Sequence, residues 1–105
     1  MIPCMTHTDQ ETSVRQYASM LARTHPGKNV ELRIPPWTAV QLGVESTTHT
    51  HRRGTPGSVV EMDPTTFLRL IHGDLTWGEA LSSHLVDVSG VHANLSHMFP
   101  APLSA

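Results

Sequence analysis

Residues 51–90 read HRRGTPGSVVEMDPTTFLRLIHGDLTWGEALSSHLVDVSG, and the order of elements within them decides the fold. Ser58 to Met62 is a short run with β-branched residues, suited to a strand. Asp63-Pro64 then starts a helix sharply. Asp is a capping residue, and proline is pre-set for the first helical position, where its missing N–H costs nothing. Phe67, Leu68, Leu70 and Ile71 give that helix an apolar face, and Gly73 ends it. Thr76 caps a second helix carrying Trp77, Ala80 and Leu81, with Glu79 placed to complete a capping box. Leu85, Val86 and Val88 form a closing strand that stops at Gly90. The stretch contains no catalytic signature. It contains apolar faces that must be buried against something.

The residues upstream supply what those faces need. Val14, Tyr17, Ala18, Leu21 and Ala22 recur at helical spacing, which predicts an amphipathic helix over roughly 9–24 with Thr8 or Asp9 as its cap. Thr24, His25, Pro26 and Gly27 stop it. Val30, Leu32 and Ile34 alternate with Glu31 and Arg33, as in a strand with one wet face. Pro35-Pro36 breaks that strand, and Trp37 to Val44 reads as its antiparallel partner. Residues 46–57 carry no large apolar side chain and form the longest loop. After Gly90, Leu95, Met98 and Phe99 predict a turn of helix ended by Pro100 and Pro102. The expected organisation is a flexible lead over 1–8, one domain over 9–99 and a tail over 100–105. Its class is α+β, with a mostly antiparallel sheet covered on one face by helices.

Composition narrows the function classes. A chain of 105 residues makes one domain with a modest core. Its formal charge of -2 gives no general attraction to nucleic acid. Eight histidines make that charge sensitive to pH. Cys4 is the single cysteine, which excludes a disulfide scaffold. No apolar run approaches the roughly 18–20 residues of a membrane span, and no secretory leader is visible, so the expected setting is cytoplasmic.

Three segments carry a resemblance. Residues 30–41 read VELRIPPWTAVQ, and 51–61 read HRRGTPGSVVE. The third is the Asp63-Pro64 helix start followed by Phe67, Leu68, Leu70, Gly73, Leu75, Trp77, Ala80, Val88, Gly90 and Leu95. Together they resemble the sterol carrier protein type 2 superfamily, most closely its short bacterial branch. That branch shows similar VEVRVPPFxAVQ and HTRGTPPNVVE segments, and the superfamily closes with an xGxxxxL segment, here Ser89 to Leu95. The match spans roughly residues 10–99. Arg52 stands where the branch has Thr, while Gly57 and Ser58 replace Pro and Asn. The stretch 83–92 lacks the branch's basic residues. The resemblance implies an apolar tunnel between helices and sheet, non-catalytic, taking a fatty acid, acyl-CoA or sterol-like lipid.

The apolar wall on this reading is Trp37, Val40, Leu42, Phe67, Leu68, Ile71, Trp77 and Leu81. The bland alternative for the same residues is an ordinary packed core. A lipid site needs many apolar walls and few polar anchors. Arg52 and Arg53 beside Gly54 are the candidate seat for an acidic head group. Against that stands a solvated loop, or an arginine bracing the Gly54-Thr55-Pro56 turn. His49-x-His51, with His7, has the residue type for zinc or nickel, but no cysteine or carboxylate stands at ligand spacing, and no metal or cofactor is assigned. No Ser, Thr or His falls into a nucleophile–base constellation, so no enzyme activity is assigned. The expected partner is an apolar small molecule or lipid, with transient membrane contact and a homodimer both allowed and no nucleic acid. The competing function is a protein-interaction domain with a full core, or an accessory subunit of an enzyme complex.

Overall fold

The computed structural model describes residues 7–44, 57–90 and 94–100. In chain order these form α1 (His7–Thr24), β1 (Val30–Ile34), β2 (Thr38–Leu42), β3 (Ser58–Met62), α2 (Pro64–His72), α3 (Trp77–Ser82) and β4 (Val86–Ser89). A single 3-10 turn, Ser96–Met98, follows. The four strands make one sheet in the order β2-β1-β3-β4. The class is α+β, as expected.

The sheet is mixed. β1 pairs with β2 and β3 with β4 in antiparallel fashion, but the central pair, β1 and β3, is parallel. The reason lies in the connections. β2 returns along β1 until Leu42 stands opposite Val30, and β3 then starts at the same end, with Ser58 level with Val30 on the other side. β2 thus ends and β3 begins at the same end of β1, and β3 runs with β1.

One sheet face is covered and the other is open. Val30, Leu32 and Ile34 of β1, and Ser58, Val60 and Met62 of β3, are buried. Their neighbours Glu31, Arg33, Val59 and Glu61 point the other way. On the open face Arg33 Nε pairs with Glu31 Oε2 at 2.6 Å. α1 lies over β2 and against α2, and α3 lies against β4. The stripe read from the sequence is the buried one: Val14, Ala18 and Leu21 are fully enclosed, with Tyr17 and Ala22 at its margin.

Local chemistry accounts for the element ends, with three differences from expectation. α1 begins at His7, so Asp9 sits inside its first turn, where a negative charge suits the helix dipole, rather than capping it. Asp63 occupies the cap position of α2, yet its side chain makes no cap bond; it accepts instead from the Thr66 hydroxyl. Trp37 belongs to the turn between β1 and β2, its N–H donating to the Ile34 carbonyl at 3.0 Å. Elsewhere the cues hold. Gly73 adopts φ 82 at the end of α2, and the Asp74 N–H reaches back to the Arg69 carbonyl at 2.9 Å. The capping box at α3 is complete: Glu79 N–H donates to Thr76 Oγ1 at 3.1 Å, and Thr76 N–H to Glu79 Oε1 at 3.0 Å. His84 takes a positive φ of 59 after α3, so that the Leu85 N–H can bond the Ala80 carbonyl at 2.9 Å.

No helix among the described residues is long and apolar enough to cross a membrane.

Candidate functional site

The candidate site grows from the aromatic residues of α2 and α3. The burial pattern of α2 puts Phe67, Leu70 and Ile71 in the core with no exposed surface, while Leu68 keeps 8 % of its own. The capping box fixes where α3 starts, and so fixes Trp77 as its first residue. Trp77 stacks on Phe99, ring centroids 6.1 Å apart and planes 14° from parallel. Phe99 in turn meets Phe67 edge to face at 6.3 Å. Such pairs add to the area they bury because ring edges and faces carry opposite partial charge.

Near this cluster, apolar side chains reach the surface. Trp77 and Leu81 are one helical turn apart and share a face of α3. Trp77 is almost enclosed, whereas Leu81 is 37 % exposed and Leu85 36 %. Beside them Val86 stands opposite Met62 and is buried, while Val88, two residues on and on the same sheet face, is 42 % exposed. Leu81, Leu85 and Val88 are the exposed large apolar side chains of the described residues, and all three lie on the α3–β4 flank.

The predicted wall residues divide by position. Leu42, Phe67, Leu68, Ile71 and Trp77 belong to one continuous buried cluster, with Trp37 and Val40 packed on its margin. Val40 stands opposite Leu32, and Leu42 opposite Val30, on the β2 edge that α1 covers. Leu81 lies at the other edge of the sheet, outside the buried cluster. Arg52 and Arg53, and the His49-x-His51 pair, lie outside the described residues. Among the described residues no group of three or more His, Cys, Asp or Glu side chains is placed to hold a metal ion.

Sequence reasoning read the closing segment as a turn of helix but did not place its side chains in the site. Leu95 and Met98 are buried, and Phe99 bridges Phe67 and Trp77. The i, i+3, i+4 spacing of these three residues was the available signal. Electrostatics near the site are mild. The Glu79 carboxyl is held below its ordinary range, first by the Thr76 backbone N–H and then by the Thr76 hydroxyl. His25, at the end of α1, is lowered by burial and secondarily by His97.

A two-layer α+β domain with helices on a single sheet face and an aromatic cluster beneath them defines a small non-polar-core module. Comparison with protein families makes this specific. The chain belongs to the family described as bacterial SCP ortholog, whose model matches residues 6–101. No curated protein matches it.

Proposed function

We propose that this protein binds an apolar ligand without transforming it, a fatty acid, an acyl-CoA or a sterol-like lipid. The observation that carries this reading is the apolar track on the α3–β4 flank. Leu81, Leu85 and Val88 lie exposed together on this flank, and Leu81 stands one helical turn from Trp77 of the Phe67–Trp77–Phe99 cluster, an exposure that an ordinary packed core does not need. The alkyl part would lie between the α2–α3 layer and the sheet, against Phe67, Leu68, Ile71 and Trp77, with Leu81 at the mouth. The remaining wall, Trp37, Val40 and Leu42, would bound its far end. Arg52 or Arg53 would meet an acidic head group. Burial of apolar area contributes about 25 cal/mol per Å², so a long acyl chain needs few polar anchors. Membership of the bacterial SCP ortholog family supports a carrier of this kind. Carriage of a cytoplasmic lipid, with brief membrane contact at loading, suits the reading.

Native mass spectrometry of freshly purified protein, followed by solvent extraction of whatever adds mass, tests it. The expected result is a co-purifying lipid at near one-to-one stoichiometry, reduced in a Leu81→Ser/Leu85→Ser variant. Both positions are surface-exposed, so the core stays packed. A clean apo mass, with no uptake of added palmitate, palmitoyl-CoA or cholesterol, would sink the proposal. The same exposed track would then favour the second reading, a protein contact or homodimer through the α3–β4 flank. Sedimentation equilibrium of the wild type and the double serine variant distinguishes that case.

A further inference from the structure

His25, just after α1, and His97, in the closing segment, are remote in sequence yet meet edge to face, ring centroids 5.7 Å apart at 89°. The two rings sit on very different supports. His25 is half-buried and tied into the body: its N–H donates to the Leu21 carbonyl at 2.8 Å, and its own carbonyl accepts from the Gly43 N–H at 2.7 Å. His97 is exposed and sits in the short closing segment 94–100. That segment closes its own turns, Ser96 N–H to Asn94 Oδ1 at 3.0 Å and Met98 N–H to the Leu95 carbonyl at 2.9 Å. It covers the aromatic cluster through Leu95, Met98 and Phe99.

Among the described residues the charged groups around the pair are few. Arg23 and Lys28 flank His25 on its own stretch of chain. The turn after β2 brings Gly43 and Val44, which do not titrate. From the closing segment, His97 is the group that acts on His25. Asp74 stands near the other end of that segment, next to Gly73, where Pro100 packs. Among the described residues no carboxylate offsets the charge on His25, so a second proton on the pair meets a like charge. An unperturbed imidazole titrates near pH 6.5, and burial and His97 hold His25 below that, so its protonation falls on the acid side.

We propose that the His25–His97 pair is a proton-operated latch: neutral, it holds residues 94–100 closed over the Phe67–Trp77 cluster, and doubly charged, it lets them lift. The direction is set by repulsion, since two cations in ring contact are worse placed than two neutral rings. Burial of His25 adds to the penalty on its charged form. Any use of the latch in loading or unloading an apolar ligand rests on the function proposed above. The latch itself does not, and it is read without ligand.

The full chain with Trp37→Phe leaves Trp77 as its one tryptophan. Its emission and acrylamide quenching, followed from about pH 8 to pH 5, report whether Phe99 stays stacked, and far-UV circular dichroism reports the fold. The expected result is a red shift with severalfold stronger quenching at acid pH, at constant ellipticity. His97→Gln and His25→Gln should each abolish it. His97 is exposed, so the first of these variants keeps the fold whatever becomes of the second. An emission that does not move with pH overturns the latch. So does a shift that survives both glutamine variants, or one that coincides with loss of ellipticity, which marks global acid unfolding. An intact latch in a protein that takes up no lipid would refute the ligand reading and leave the latch standing.

Discussion

At the scale of single residues, Thr76 and Glu79 show how a few polar atoms position a site they do not line. The two side chains satisfy each other's backbone N–H at the start of α3. They thereby set Trp77 as the first residue of the helix and aim it at Phe99. Thr76→Ala should cost about 1 kcal/mol of stability, the usual worth of a cap, seen as a lower urea midpoint. The lowered Glu79 carboxyl gives this contact a pH dependence of known sign. Its contribution is fully present above the unfolded value of about 4.3 and is lost as the pH falls through the folded value. Urea midpoints measured from neutral pH into the acid range should therefore fall more steeply for the wild type than for Glu79→Gln. Parallel curves would show that the box does not titrate. Not every residue-scale feature was visible beforehand. His84 at φ 59 has no glycine to announce it, because the requirement comes from the bond between Leu85 and Ala80 across the helix end.

Elements meet most closely where the chain leaving α1 crosses the end of β2. A Cβ built on Gly43 would stand 2.0 Å from the Pro26 carbonyl oxygen, closer than any real contact. Asn29 continues the β1–β2 ladder beyond that point, its side chain donating to the Val44 carbonyl at 2.6 Å and accepting from the Val44 N–H at 2.8 Å. Gly43→Ala must push backbone against backbone, and should cost about 2–3 kcal/mol as other strained backbone positions do. Thermal melting checks it, and an unchanged melting temperature would mean that the two segments separate freely. The sequence marks Gly27 as a helix stop, but only the crossing of two remote segments makes Gly43 indispensable. The same holds for β4. Its residue types predicted a strand, while its place at the sheet edge, which leaves Val88 exposed, depends on which strand it pairs with.

For the molecule as a whole, the division of labour between its two sheet faces frames the function. The open face carries Glu31, Arg33, Glu61 and Asp87, and the covered face carries the apolar cluster with its track to the surface. If Arg52 and Arg53 seat a head group, replacing both with alanine should weaken binding of palmitate or palmitoyl-CoA roughly tenfold or more, since a charge-assisted bond contributes about 1.5–3 kcal/mol. Uptake of a neutral sterol, and the melting temperature, should not change. Equal losses for charged and neutral ligands, measured by titration calorimetry, would remove the arginines from the site.

The sequence by itself determined the class of element at almost every described position, the capping box of α3, the helix stops, the buried stripe of α1 and membership of the sterol-carrier type. These follow from local physics: the 3.6 and 2.0 periodicities, proline's missing donor and the capping hydroxyl act within a few residues of themselves. Only the tertiary structure decided that β1 and β3 run parallel, that Leu81 is partly exposed, that Phe99 joins Phe67 and Trp77, and that His25 meets His97. Those facts depend on which segments distant along the chain are brought side by side, and burial, being non-directional, rewards many such pairings almost equally until the whole core closes.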